Sequence, residues 1–261
     1  MNRIAKKATL ALAITATAPL TSLAADAEAK PEPQWESSAA AGLTVTKGNS
    51  ESILGTIDFA TAKKWERHEL SFGASLAYGQ TTIDVPDENN PGQTREKDDV
   101  TANSVKGFGQ YNHLFSERFY GYGRVEALHD DVAKVDYRLT LSPGAGYYFI
   151  KEPRVDLSAE VGPSYIIERL DGHEDTYLAL RVGEKFNYKL SDRARIWQTA
   201  EFLPQVDDFE NYILNFELGI EASLTEKLSL RSYIQDTYDN VPAEGRKRND
   251  LKWVTAIAYK F

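Results

Sequence analysis

The chain has no cysteine and a single methionine in 261 residues. Without cysteine neither a disulfide framework nor a thiolate metal site is available, so an exported chain would have to be held together by packing and backbone pairing. Beyond residue 24 no stretch approaches the ~18 consecutive apolar residues of a transmembrane helix, so a crossing of a membrane would have to be made with strands. Positive charge is also short: the formal net charge is −9, which argues against nucleic acid as a partner. Phosphate-cradling glycine spacing is lacking as well, "TVTKGNS" included, and no nucleotide motif occurs.

What is present begins with a basic start (Arg3, Lys6, Lys7) and an uncharged run from Ala8 to Ala24 that closes on Ser22-Leu23-Ala24. The small-x-small ending predicts a cleaved export signal over residues 1–24. Its removal takes three positive charges with it and moves the net charge from −9 to −12. Residues 25–34, "ADAEAKPEPQ", are Ala, Pro and charge, a flexible tether without core-forming content.

From Trp35 to Phe261 one unit recurs: about ten residues of alternating polarity, a turn, and another alternating run. Twelve runs are predicted, near 35–46, 52–64, 68–80, 101–115, 118–129, 136–150, 154–168, 176–190, 194–205, 211–224, 227–239 and 250–261. The period is two, which excludes helix. In "DYRLTLSPGAGYYFI", Tyr137, Leu139, Leu141, Pro143, Ala145, Tyr147 and Phe149 share one face, against Arg138, Thr140, Ser142, Gly144 and Gly146. The faces blur near 101–129, where Gly107, Gly109, Gly121 and Gly123 interrupt them. Connections alternate in length: brief after even strands ("SER", "KEPR", "TEK"), mostly longer and acidic after odd ones ("IDVPDENNPGQTREKDDV", "HDDVAKVD"). Both ends fall on the short-turn side. An all-β fold, a single antiparallel transmembrane β-barrel of about twelve strands over residues 35–261, is the expectation.

Charge on the polar faces sets the barrel's orientation. Strand seven offers Asp156, Glu160 and Glu168, and strand eight Arg181, Lys185 and Lys189. Placing Glu160 opposite Lys185 puts Asp156 opposite Lys189 and centres the loop on Gly172-His173. Across "TEK", pairing Leu224 with Leu228 sets Glu221 opposite Arg231. These pairs are assigned to a lumen, because a Lys or Arg at the lipid midplane costs about 2–4 kcal/mol. Glu184 alone falls on the greasy face, which predicts a bulge beside it or a position near the membrane edge.

The last strand, "LKWVTAIAYKF", places Leu251, Trp253, Ile257, Tyr259 and Phe261 outwards and Lys252 and Lys260 inwards, as a strand that closes a barrel on the first one requires. Tyr259 and Phe261 resemble the C-terminal signal that outer-membrane proteins present to their assembly machinery, with Ala256 where a glycine is often found. With "GLTVTKGNSES" near the start, "LTEKLSLRSYIQDTYDN" followed by "VP" and "GRKRND", and the closing "AYKF", the chain resembles the salt-induced outer-membrane proteins, the YdiY-like family built on a domain of unknown function. That resemblance implies a barrel in the outer membrane of a Gram-negative cell and a link to salt or osmotic response. It supplies no catalytic residues.

Of four histidines, only His129 and His173 fall on the long-loop side, each followed by acids. They could serve as bases or, with those acids, offer hard ligands to calcium. The acidic loops, including Asp84, Asp87, Glu88, Asp98, Asp99, Asp130, Asp131, Asp207, Asp208 and Glu210, could share divalent cations with lipid at the external rim, and Arg246, Lys247 and Arg248 could meet lipid phosphates. No catalytic, cofactor or metal residue is assigned. The expected partners are outer-membrane lipid, the assembly machinery and divalent cations. The leading function is a non-enzymatic barrel serving envelope integrity or small-solute passage. The rivals are a lipid-acting enzyme using a rim histidine and a soluble periplasmic β protein that binds a ligand.

Overall fold

The computed structural model describes residues 34–46, 51–86 and 94–261. The export signal, the tether as far as residue 33, and Asp87 and Glu88 lie outside the described residues. Twelve strands run β1 (Glu36–Thr46), β2 (Glu51–Trp65), β3 (His68–Pro86), β4 (Thr94–Leu114), β5 (Phe119–Asp130), β6 (Val135–Lys151), β7 (Val155–Leu170), β8 (His173–Ser191), β9 (Ala194–Pro204), β10 (Tyr212–Ser223), β11 (Leu228–Asp239) and β12 (Asn249–Lys260). Each pairs antiparallel with the next, and β12 returns to β1, so the sheet is a closed barrel.

The faces follow the alternation in the sequence. Leu43, Ile57, Leu76, Val161, Leu178, Leu214 and Ile257 stand exposed on the outside, while Glu160, Arg181, Glu168 and Glu221 are buried within. A soluble β protein would reverse this, since exposed apolar surface of this extent costs free energy in water and none in hydrocarbon. The soluble periplasmic alternative is therefore excluded. Rows of aromatic rings girdle the short-turn end: Trp65 on His68, Phe115 on Phe119, Tyr147 against Phe149 and Tyr259 on Phe261. Interfacial girdles of this kind flank the apolar band of membrane barrels.

Three differences from the expected layout have physical causes. The β7–β8 register is two residues away from the expected one: Glu160 faces Gly183, Ser158 faces Lys185 and Asp156 faces Asn187. The cause is the turn, which centres on Asp171-Gly172 with φ of 48° and 82°. An Asp-Gly pair takes up this left-handed geometry at low cost, and a two-residue loop of that type fixes the strands that flank it. Asp156 and Lys189 are thus not opposed. Second, β3 and β4 extend well into the segment expected to be loop, pairing from Gln80–Val100 to Pro86–Thr94 beyond a bulge at Gly79/Gln80. The β-branched Thr81, Thr82, Ile83 and Val85 carry the ladder onward. Third, Glu184 points outwards with no bulge beside it; the irregularity in β8–β9 pairing falls at Lys189/Ser191 instead. Gln198 on β9 donates to Glu184 at 3.1 Å, which satisfies the carboxyl on this face.

By contrast, the β10–β11 register sets Glu221 opposite Arg231, with Leu224 N–H donating to the Leu228 carbonyl at 2.8 Å. β1 and β12 pair only from Ser38–Lys260 to Gly42–Ala256.

Candidate lumenal site

Inward side chains are the even-numbered residues on β6 and β7 and the odd-numbered ones on β8 through β11. Alternation therefore delivers the polar half of each strand to one interior. Glu160 on β7 is the hub of the wall built by β4 to β9 and is 3% exposed. Its Oε2 accepts from Arg181 Nη1 at 2.8 Å, while Oε1 accepts from Gln110 Nε2 at 2.7 Å, Tyr120 Oη at 3.0 Å and Lys185 Nζ at 3.3 Å. Arg181 continues the chain through its Nε to Glu201 at 2.6 Å and through Nη1 to the Tyr122 hydroxyl at 3.1 Å. On β5, Glu126 takes Lys106 at 2.8 Å and Arg124 at 2.6 Å. A buried carboxylate is tolerable only when its lone pairs are met by such donors.

Towards the long-loop end a different contact crosses the lumen. Arg138 on β6 pairs with Glu168 on β7 and also reaches Asp239 on β11, Nη2 to Oδ2 at 3.1 Å. β6 and β11 stand nearly opposite in the twelve-strand ring, so this pair is a strut across the channel axis. Ile166, Tyr177 and Ala179 form a buried cluster on the same stretch of β7 and β8.

Below these pairs lies a cavity of about 180 Å³ towards the short-turn end. Glu69, Asp156, Lys64, Asn187 and Tyr148 line it. Glu69 is fixed there by Tyr148 Oη at 2.7 Å and Asn112 Nδ2 at 3.0 Å. The lumen thus holds a polar cavity towards the short-turn end and an ion pair that crosses it towards the long-loop end.

The sequence-derived residues distribute unevenly over this interior. Lys185 lies within reach of Glu160 as a diagonal neighbour, and Glu221 collects Arg231 at 3.3 Å together with Arg195 at 2.6 Å and Lys260 at 3.4 Å. Asp156 lines the cavity and has no salt-bridge partner among the described residues, and Lys189 sits at the rim beyond it. Arg246, Lys247 and Arg248 are exposed on the β11–β12 loop, and Tyr259 and Phe261 are exposed on the outer face. His129 at the outer rim already has both ring nitrogens engaged, Nδ1 with the Asp136 carbonyl at 2.8 Å and Nε2 with Asp131 at 3.1 Å. His173 contacts the Asp171 carbonyl at 3.2 Å. Among the described residues no three acidic or histidine side chains gather as a metal site. Arg138, Asp239, Tyr120, Tyr122 and Gln110 were not foreseen as a set. Their inward positions follow from alternation, but nothing in one sequence matches Arg138 to a partner 101 residues away.

The family model described as "Protein of unknown function, DUF481" matches residues 39–261. No curated protein sequence matches the chain. Among solved structures, the NanC porin overlays 87% of this chain and 100% of its own with a TM-score of 0.51 at 7% identity. The COG4313 outer membrane channel from Pseudomonas putida F1 covers 91% and 100% at 11% identity and a TM-score of 0.48. The translocator domain of autotransporter NalP from Neisseria meningitidis covers 87% and 87% at 15% identity and a TM-score of 0.47. At these identities the likeness is one of fold. The molecule is a closed antiparallel β-barrel with the apolar outer face of a membrane-spanning barrel.

Proposed function

We propose that this chain, which belongs to the family described as a protein of unknown function, DUF481, is a non-enzymatic, normally closed passage for small hydrophilic solutes. The observation that carries the reading is the Arg138–Asp239 strut, closed across the lumen by a 3.1 Å Nη2–Oδ2 contact above a polar recess at the short-turn end. An ion pair that crosses the lumen above a polar recess supplies the two things a gated passage needs, a polar lining and a point of closure. Loss of Asp239 leaves Arg138 still paired with Glu168, so the strut can part without stranding a buried charge.

A role under salt or osmotic stress, implied by the resemblance of the end segments to the salt-induced proteins, fits closure by ion pairs: raised ionic strength screens those that water reaches. The acidic loops support a weak preference for cations. Lipid phosphates at Arg246, Lys247 and Arg248, divalent cations at the acidic rim, and reading of Tyr259 and Phe261 by the assembly machinery belong to the same proposal. They rest on exposed charge and on the position of the terminal rings.

Planar-bilayer recording and liposome swelling test it. The purified barrel should conduct rarely and in small steps, and Asp239→Ala should open it more often and admit small sugars faster. If wild type and Asp239→Ala are equally silent in both assays, the passage reading fails and the envelope-integrity reading replaces it.

A further inference from the structure

His68 opens β3 and His113 lies one residue from the end of β4. They are direct cross-strand partners, on the outer face at the short-turn end and therefore at the periplasmic interface. Their Nδ1 atoms are 3.5 Å apart, and the Tyr111 hydroxyl lies 2.6 Å from the same His68 nitrogen. Trp65 stacks on His68 with centroids 5.5 Å apart, and Phe115 meets His113 edge-on at 5.1 Å, so neighbouring rings constrain both imidazoles.

A girdle of interfacial rings accounts for two histidines being here. It does not account for their nitrogens facing each other. An imidazole nitrogen has a single in-plane position, either a hydrogen or a lone pair. His68 Nδ1 cannot serve Tyr111 and His113 together: bound to one, it leaves the other with poor geometry. A cation placed between the rings removes the conflict, because each nitrogen then directs its own lone pair to the ion. The spacing suits that arrangement. Two nitrogens each 2.0–2.1 Å from a tetrahedral ion are about 3.3 Å apart, and imidazole ligands select borderline transition ions over the hard Mg²⁺ and Ca²⁺.

We propose that His68 and His113 form a periplasm-facing site for a borderline divalent transition ion, Zn²⁺ or Cu²⁺, with Tyr111 as a third neighbour and water completing the coordination. Such an ion would tie the start of β3 to the end of β4. The site lies outside the lumen, so it stands or falls independently of solute passage.

The test is calorimetric titration of untagged, detergent-folded barrel with Zn²⁺, and electron paramagnetic resonance with Cu²⁺. One equivalent should bind, with nitrogen hyperfine splitting from two imidazoles, and Mg²⁺ and Ca²⁺ should not compete. His68→Ala and His113→Ala should each weaken binding at least about tenfold, since even the loss of a supporting partner costs 10–100-fold. The double variant His129→Ala/His173→Ala should bind as wild type does. Heat-modifiable gel migration checks that each variant is folded, and His113→Gln, which keeps hydrogen bonding but offers no imidazole, guards against a packing artefact. Unchanged binding in the His68 and His113 variants, absence of binding in the wild type, or binding lost with His129 and His173 would each overturn the assignment.

Discussion

The wall from β4 to β9 and the wall from β11 across the seam to β1 obey one alternation and fill the lumen in opposite ways. On the first, inward positions carry long charged side chains: Glu160, Arg181, Lys185, Arg138 and Glu168. On the second, beside the charged Arg231, Asp239 and Lys260, a cluster of small apolar residues, Ala40, Val254, Ala256 and Ala258, packs with Tyr233 and with Trp197 from β9. Both walls are buried, Glu160 at 3% exposed and Ala258 at 0%. A long side chain reaching in from one side takes up space that a small one leaves on the other. The charged wall gains rigidity from geometry that must be met simultaneously by several donors, and the small-residue wall from close packing alone.

The largest break in this contrast should come at Gly162, in the charged wall. A Cβ there would lie 2.1 Å from the Pro143 carbonyl oxygen and 2.6 Å from the Gly144 Cα, both backbone atoms. Pro143 and Pro163 stand near the same level with no N–H to give, and the pairing recorded for β6–β7 skips this stretch between Leu141–Tyr165 and Ala145–Val161. Gly162→Val should therefore abolish the folded barrel, read as loss of heat-modifiable migration. Ala258→Val adds two methyl groups to the buried seam cluster of Ala40, Tyr233, Val254 and Ala256 and should cost about 1–3 kcal/mol while the barrel persists. Equal damage from both would erase the distinction between the walls.

Next is Glu160→Ala. It leaves Lys185 without its carboxylate and Arg181 with Glu201 alone, and breaking a buried pair from one side costs about 3–5 kcal/mol. Urea unfolding in lipid vesicles should show the midpoint falling steeply, and Glu160→Gln, which can still accept from Gln110 and Tyr120, should recover part of it. A smaller change is expected for Val254→Ala in the seam wall, about 2 kcal/mol from two buried carbons. If Val254→Ala were the costlier of the two, packing and not pairing would dominate the interior.

Where the sequence could be read and where it could not follow the same division. Period two, the twelve strands and the outward set of Leu251, Trp253 and Ile257 are consequences of the chain meeting lipid on one face, and that demand is written in every second residue. Glu221 and Arg231 were legible because three turn residues, "TEK", leave one good register. The β7–β8 register was not, because two ion pairs made a plausible alignment while Asp171-Gly172 decided it through backbone geometry. The Arg138–Asp239 strut was invisible for another reason: partners across a lumen are set by ring order and tilt, which no local pattern encodes. His68 and His113, 45 residues apart, become neighbours only through the β3–β4 register, which the blurred glycine-rich faces of β4 leave unwritten in the local pattern.

The smallest effect belongs to the outer rim, above both walls, where His129 ties β5 to β6. Its imidazole is held above the usual range chiefly because its Nδ1–H donates to the Asp136 carbonyl, with the carboxylates of Asp131, Asp130 and Asp136 adding to it and slight desolvation opposing it. A folded-state value above the unfolded one means the protonated form is the one that folding favours. The contribution is therefore complete below the unfolded value of about 6.5 and disappears as pH rises through the folded one. Wild type should exceed His129→Asn in unfolding midpoint at pH 5.5, and the gap should close by pH 8.5. Changes in either wall of the lumen should leave that pH dependence untouched, because no inward residue of the β4–β9 network contacts the ring. A gap that widens with pH would mean that His129 is held neutral at the rim, with its bond to Asp136 made by the uncharged ring.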